Sequence, residues 1–433
     1  MPSEQRAVGV VGAGYVGLTT AACLARLGHD VICADIDESK VDKLGRAEVP
    51  IAEPGLPALV REGLDSSRLR FTTELGALAR CDVVLLCLPT PMSEQGDADL
   101  GAVDAALGEL APVLARGCVL ATKSTVPVGT TLRLRQRLSG NWGRADVRVV
   151  SNPEFLREGH AVTDFLHPDR IVLGTDDDAA GEAVAALYEN LDAPVVRTGF
   201  ASAELAKYAS NGFLALKLSY VNELAELCER LGADIGDVGR VMGMDGRIGP
   251  AFLAPGPGWG GSCLPKDTEA LVRTSGTAGL DFRLLREATL TNLRQQDRVL
   301  AKVRRAVGGR LAGARIGVLG LTFKAGTDDL RHSPALAVAD RLAREGAILT
   351  AYDPKVEPPG PAGLDAQVVD DPCLVAKDAE VILVLTEWPE FRQLDWPRLA
   401  TLSTHATVVD TRNLLDADAL ARAGLRHTGT GAG

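Results

Sequence analysis

A chain of 433 residues is too long for one hydrophobic core, so roughly two to three domains are expected. With 46% apolar and 24% charged residues it is neither disordered nor fibrous but ordinarily globular. A net charge of −11 argues against nucleic acid or an anionic membrane as the main partner, and an anionic substrate would need a local basic pocket.

No basic-plus-apolar leader opens the chain, and no apolar run approaches the ~20 residues of a membrane span, so a cytoplasmic location is expected. The cysteines (Cys23, Cys33, Cys81, Cys87, Cys118, Cys228, Cys263 and Cys373) are scattered without close Cys/His pairing, and no metal site is expected. Several lie in apolar segments, such as Cys33 in VICAD and Cys87 in VVLLCLP, and read as small core residues.

Ala7 to Val11 reads as a buried parallel strand. Gly12-Ala13-Gly14-Tyr15-Val16-Gly17 follows at once and opens an Ala/Leu-rich helix reaching Leu27. Gly28-His29-Asp30 ends that helix, and Val31 to Ala34 forms a second strand closing on Asp35. A G-x-G-x-x-G run alone is weak evidence. Between a strand and a helix, with an acidic residue ending the next strand, it is the dinucleotide fingerprint. The glycines make the tight turn and admit pyrophosphate to the helix N-terminus, while Asp35 accepts from a ribose 2′-hydroxyl. A carboxylate there repels a 2′-phosphate, which favours NAD over NADP.

Leu69 to Phe71, Val83 to Leu88 and Cys118 to Thr122 continue the alternation of strand and helix, and polar residues stand at two strand ends: Thr90, and Ser124-Thr125. In doubly wound sheets such loops line the ligand crevice. After the strand Val147 to Val150 comes Asn152 to Gly159, in which Glu154 and Glu158 are four apart. One helical turn would put both carboxylates on one face, suited to proton transfer or water activation; a solvated acidic turn is the alternative. Ile171 to Gly174 and Ala193 to Arg197 close this half.

From Ser202 to about Leu231 there is no proline, and Leu205, Tyr208, Ala209, Phe213, Leu216, Tyr220, Leu224 and Leu227 recur at helical spacing, predicting a long central helix with these residues as its apolar stripe. Lys207 and Asn211, one turn apart beside that stripe, could stabilise an oxyanion. Arg247 lies in a Met/Gly-rich segment. Then comes Gly258-Trp259-Gly260-Gly261-Ser262-Cys263-Leu264-Pro265-Lys266-Asp267, where glycines permit close backbone approach beside a thiol, an ammonium and a carboxylate. Asp267 is expected as the N-cap of the next helix. A second long helix is predicted from Phe282 to Val307.

Arg315 to Leu321 half-repeats the opening: strand, Gly320, helix from Pro334 to Arg344, then a strand Ile348 to Tyr352 ending at Asp353. Val381 to Leu385 and Thr407 to Asp410 add strands. Lys324, Arg331 and Arg412 could supply positive charge to a pyrophosphate. The tail after Arg426 is small and polar, and is expected to fray. The fold class is α/β, with two Rossmann-like doubly wound domains joined by a long central helix. The expected domains are 1–198 (NAD-binding), 199–307 (central, with the cysteine loop) and 308–433 (Rossmann-like without the G-x-G-x-x-G triplet, hence with different cargo, which the family resemblance given next implies is the nucleotide sugar).

GVVGAGYVGL, KSTVPVGT, SNPEFLREG, ELAKYASNGFLALKLSYVNE, GRIGPAFL, GWGGSCLPKD and LTFKAGTDDLRHSP follow in order along nearly the whole chain, which resembles the UDP-glucose/GDP-mannose dehydrogenase family. The resemblance implies a four-electron oxidation of a nucleotide sugar's terminal CH2OH to carboxylate with NAD. UDP-glucose to UDP-glucuronate is the nearest match, and GDP-mannose or a UDP-N-acetylhexosamine the alternatives. By the same resemblance Cys263 captures the aldehyde as a thiohemiacetal that is oxidised to a thioester. Lys207 and Asn211 would stabilise the oxyanion, Asp267 with Lys207 would handle the alcohol proton through water, and Glu154, Glu158 and Thr125 would place and activate water.

Cofactor contacts are implied for Gly12, Gly14, Tyr15, Val16, Gly17, Asp35, Lys40, Thr90, Thr125, Glu158 and Lys266. Substrate contacts are implied for Phe155, Leu156, Lys207, Asn211, Gly260, Phe323, Lys324 and Arg412, and for Arg247 across an interface of a homodimer or higher oligomer. Trp259 and His332 depart from the family pattern near the expected substrate loops and bear on which sugar is accepted. A single-step NAD β-hydroxyacid dehydrogenase would need neither Cys263 nor the second Rossmann-like domain. An NAD-sensing scaffold would not keep Cys263, Lys207, Asn211, Glu158 and Asp267 together.

Overall fold

The computed structural model describes residues 5–92, 98–404 and 406–432. They fall into two compact units, Met1–Ser210 and Asn211–Gly433.

In the first unit eight strands make one sheet: β1 (Ala7–Val11), β2 (Asp30–Ala34), β3 (Leu69–Thr72), β4 (Val83–Leu86), β5 (Val119–Thr122), β6 (Arg148–Ser151), β7 (Ile171–Gly174) and β8 (Val195–Thr198). Their order is β3-β2-β1-β4-β5-β6-β7-β8. The first six follow the 3-2-1-4-5-6 order of doubly wound sheets, which reverses between β1 and β4 and opens a crevice at the strand C-termini. Only the β6–β7 pairing is antiparallel. Val8, Val10, Val83 to Leu86 and Val119 to Ala121 are buried, the unbroken apolar runs of a sheet covered by helices on both faces. Asp37 starts the helix Glu38–Gly45 by accepting the Lys40 N–H, which fixes the chain just beyond Asp35.

The helix Phe200–Leu231, about 48 Å long by its rise per residue, runs from the first unit into the second. Its length agrees with the sequence; its facing does not. Leu205, Ala209, Phe213, Tyr220 and Leu227 of the predicted stripe are exposed. In the second unit its buried residues include the small or polar Gly212, Ala215, Ser219, Asn222 and Ala225 together with Val221 and Cys228. Small residues let the helix Arg283–Ala306 come close, as a Cβ on Gly212 would already lie 3.2 Å from Leu285. Periodicity reported an apolar face correctly but could not say what that face meets.

The second sheet contains β9 (Arg315–Leu319), β10 (Ile348–Tyr352), β11 (Gln367–Val368), β12 (Val381–Val384), β13 (Thr407–Asp410) and β14 (Arg426–Thr428). It is parallel throughout, in the order β11-β10-β9-β12-β13-β14, again the doubly wound order. The expected fray after Arg426 is corrected here. Residues 426–428 form edge strand β14 on β13, and Ala432 bridges Asp234. Backbone pairing holds this polar segment without needing apolar side chains.

Candidate active site

In the first unit the glycine turn has the geometry a dinucleotide needs. A Cβ on Gly17 would sit 1.8 Å from the Gly12 carbonyl oxygen, so the helix can press onto the turn only with glycine there. A Cβ on Gly14 would meet nothing within 4 Å, which leaves the N-terminus of the helix Tyr15–Arg26 open for a pyrophosphate. Asp35, beyond β2, accepts from the Ala13 N–H (2.7 Å), the Asp37 N–H (3.0 Å) and Lys40 Nζ (3.1 Å). Burial alone would raise its pKa; the two amides and the ammonium outweigh burial and hold it below the usual carboxylate range. These residues fit NAD.

At the C-terminal ends of β4 and β5, Thr90 Oγ1 donates to the Thr125 carbonyl at 2.8 Å, so the two predicted crevice loops are tied together. The expected helical turn at Glu154 and Glu158 is absent: residues 152–157 are irregular. Glu154 is buried and pairs with Lys207 Nζ at 3.0 Å, while accepting the Leu156 N–H at 2.5 Å. Glu158 is half-buried. The buried ion pair with Lys207, not a helical turn, fixes the Glu154 carboxylate. Lys207 Nζ also stands 5.3 Å from the Phe155 ring centroid, with the Arg170 guanidinium 3.7 Å from the same centroid.

Three buried acceptors and donors in this unit were not anticipated. Glu53 receives the Tyr15 hydroxyl and the Gly159 N–H, joining the glycine turn to the Glu158 loop. Glu204 accepts Gly129 N–H (2.6 Å), Thr131 N–H (2.7 Å) and Thr131 Oγ1 (2.7 Å), anchoring the loop after Thr125 to the long helix. Its burial raises its pKa despite those bonds. Lys123 is buried against Asn152 Oδ1 (3.3 Å) and the rings of Phe165 and Tyr188. Glu204 stands three residues before Lys207 on one helix, a signal available in the sequence; the others needed tertiary contacts.

In the second unit Cys263 is the N-cap of the helix Leu264–Thr277, with Pro265 in its first turn. Asp267 is therefore not the cap but sits inside the first turn, buried. Its carboxylate takes the Asn211 Nδ2 amide at 2.6 Å and Lys266 Nζ at 2.6 Å. Cap geometry rather than residue preference decided this, because a carboxylate bonded to Asn211 and Lys266 is not aimed at the helix end. Seven of the eight cysteines are buried, and Cys263 is the exception. Burial pushes the Cys23, Cys87 and Cys118 thiols up to about 12.

The glycine loop is pinned by three side-chain amides that no local sequence motif marks. Asn222 Oδ1 accepts the Gly256 N–H (2.9 Å), Gln295 Nε2 donates to the Gly256 carbonyl (2.7 Å), and Asn292 exchanges two bonds with the Trp259 backbone. A Cβ on Gly260 would lie 2.0 Å from the His332 carbonyl, and one on Gly261 would enter the Phe323 ring. The Trp259 indole is buried and donates to Ser219 Oγ at 2.9 Å. It packs as a buried side chain. Arg412 Nε donates to the Leu385 carbonyl (2.9 Å) beside Glu387, and Nη2 reaches the Phe323 carbonyl at 3.3 Å. Lys324 Nζ lies over the Phe323 ring. Two other predicted basic residues are exposed and ion-paired, Arg331 with Asp329 and Arg247 with Asp245. No His/Cys/Asp/Glu group among the described residues is arranged to hold a metal ion.

Three domain models of the UDP-glucose/GDP-mannose dehydrogenase family match the chain: the NAD binding domain over residues 6–192, the central domain over 201–294 and the UDP binding domain over 317–417. The UDP-glucose 6-dehydrogenase of Rhizobium meliloti (strain 1021) is 45% identical, covering 98% of each chain. The chain belongs to this family. As a member it is an NAD-dependent dehydrogenase of nucleotide sugars. A UDP-glucose dehydrogenase from Pyrobaculum islandicum superposes with a TM-score of 0.90 at 36% identity, covering 99% of this chain and 98% of that one. A UDP-D-ManNAc dehydrogenase from Pyrococcus horikoshii superposes with a TM-score of 0.88 at 28% identity, covering 99% of each. Fold class, cofactor and dehydrogenase activity are as the motifs implied. Among the described residues no helix is long and apolar enough to cross a membrane.

Proposed function

We propose that this dehydrogenase oxidises UDP-glucose to UDP-glucuronate in two successive steps on one sugar carbon. The substrate assignment is supported by 45% identity over 98% of the chain to a relative of that name. The two-step reading is carried by Cys263, the one cysteine not buried, placed where a helix N-terminus favours negative charge. Bound NAD supplies a hydride acceptor for each oxidation. Gly12, Gly14, Tyr15, Val16, Gly17, Asp35, Lys40, Thr90 and Thr125 would hold it, with Glu158 and Lys266.

Asp267, fixed between Asn211 and Lys266, takes the alcohol proton with Lys207 as the first hydride leaves and the aldehyde forms. The Cys263 thiolate then adds to the aldehyde carbon, and Lys207 and Asn211 bind the developing oxyanion. Loss of the second hydride from this thiohemiacetal gives a thioester. Water, placed by Thr125, Glu154 and Glu158, attacks the thioester carbonyl, releasing the carboxylate and the free thiol. The sum is RCH2OH + 2 NAD+ + H2O giving RCOO− + 2 NADH + 3 H+. Phe155 and Leu156, Gly260 and Phe323, and the cations Lys324 and Arg412 contact the nucleotide sugar.

The protein works as a homodimer or higher oligomer. Phe213, Tyr220 and Leu227, seven apart on the long helix, are 60%, 54% and 47% exposed, a stripe suited to a second copy. Arg247 belongs to the partner's substrate site in this reading. Light scattering should give at least twice the monomer mass. Initial rates with UDP-glucose, GDP-mannose and UDP-N-acetylhexosamines test the substrate: kcat/KM should be highest for UDP-glucose, and preference for any other sugar would overturn the assignment.

A further inference from the structure

The segment after Leu425 does more than complete a sheet. Its backbone closes on the turn that carries Arg412. Asn413, the next residue, has a φ of +50, and its side chain forms a two-way clamp with Thr430. Asn413 Nδ2 donates to the Thr430 carbonyl (2.7 Å) and Oδ1 accepts the Thr430 N–H (2.7 Å). Asp410, fully buried at the end of β13, gathers the same turn by accepting the N–H groups of Arg412 (3.0 Å), Leu414 (2.7 Å) and Leu415 (2.8 Å).

The clamp has a firm foundation. Lys302 Nζ donates to the Gly429 carbonyl at 2.7 Å and pairs with Glu229 on the long helix. Glu229 Oε1 also accepts the Gly431 N–H at 2.7 Å, and the Gly431 carbonyl accepts the Ile235 N–H at 2.8 Å. Each link is polar, and Lys302 and Thr430 are buried. Asn413 is exposed and Glu229 half-buried, so the network's stiffness rests on several bonds converging on one short segment over the buried Lys302 and Thr430. There is also no room to spare: a Cβ on Gly429 would lie 2.8 Å from Asn413 Oδ1. Arg412 itself is already directed by the Leu385 and Phe323 carbonyls and by Glu387.

We propose that Asn413 is a positioning residue for Arg412, and that the segment 426–432, through Thr430, thereby sets affinity for the nucleoside diphosphate part of the substrate. This rests on the reading above in which Arg412 contacts the nucleotide sugar. Asn413 fixes the turn from which the guanidinium reaches. An arginine must arrive in register to make paired hydrogen bonds to a diphosphate, so a loosened turn costs affinity and not chemistry.

The test is UDP affinity by titration calorimetry on the full chain, with four variants. Asn413→Gly keeps the positive φ while removing both clamp bonds, and should weaken UDP roughly 5- to 30-fold, the span of one to two lost hydrogen bonds. Gly429→Ala should move in the same direction by displacing the carboxamide. KM for the sugar nucleotide should rise in parallel, with kcat and NAD affinity within about twofold of the parent. Arg412→Ala should weaken UDP at least about tenfold. In Arg412→Ala/Asn413→Gly, loss of the clamp should add nothing further. If Arg412→Ala weakens UDP and Asn413→Gly does not, the positioning role is overturned and the Arg412 reading stands. If the two losses add in the double variant, Asn413 acts independently and the proposal is also wrong. If Arg412→Ala leaves UDP affinity intact, the Arg412 reading itself falls and the inference with it.

Discussion

Replacing Lys207 by methionine keeps the alkyl chain and deletes the ammonium, so it isolates one charge. Lys207 and Glu154 are 4% and 6% exposed at the side chain, with Nζ and Oε1 3.0 Å apart. The variant strands the Glu154 carboxylate in a site that water barely reaches. Breaking a buried pair from one side costs about 3–5 kcal/mol, mostly the penalty of the orphaned charge. The unit that contains the pair spans residues 1–210. For a domain of that size each kcal/mol lowers the melting temperature by about 2–4 °C, giving a drop of roughly 6–20 °C. Adding Glu154→Gln removes the stranded charge and should return at least about half of the lost stability. Urea denaturation measures both, with an unchanged m-value expected because the fold is kept. A Lys207→Met variant within about 1 kcal/mol of the parent, or a double variant no better than the single, would refute the argument.

Alkylation should be selective: iodoacetamide near pH 7.5 should label Cys263 first, since the other seven thiols are buried and several are pushed up to about 12; peptide mapping that finds another cysteine labelled as fast would contradict this. Gly260→Ala places a Cβ 2.0 Å from the His332 carbonyl, a clash with backbone that no rotamer relieves. It should lower kcat/KM by roughly 100-fold or more, as loop displacements of about 1 Å do, with near-parental activity as the contrary result. Asp35 is held below the usual carboxylate range, so its charge is present above its unfolded value and lost only as pH falls through the lower folded value. Preference for NAD over NADP should therefore persist from pH 8 down to about 5. It should collapse in Asp35→Asn, and a preference that survives in that variant would remove Asp35 from the account.

Strands and the glycine turn were legible because they depend on short-range features: buried β-branched runs, and glycines where a Cβ on Gly17 would strike the Gly12 carbonyl. The second sheet was legible for the same reason, through the strand, Gly320 and Asp353. What was lost depended on partners far away in sequence. Lys207, the partner that holds the Glu154 carboxylate, is 53 positions on, so no local pattern marks their ion pair. Asp267 was read as a cap, since nothing local announces the Asn211 amide that holds it. More than half of the long helix's apolar stripe faces outward because periodicity ranks apolar size, while close helix packing selected Gly212, Ala215 and Ser219 for the inside. Segment 426–432 was left to fray because its hold is backbone pairing plus the Asn413 clamp, and neither has a compositional signature.

The two-step oxidation on Cys263 is tested most directly by counting NADH against sugar. With UDP-glucose limiting and NAD in excess, two NADH should form per UDP-glucose consumed, with UDP-glucuronate the only product. Cys263→Ala should form no acid while binding NAD as the parent does. One NADH per sugar in the parent, or normal acid formation by Cys263→Ala, would contradict the account.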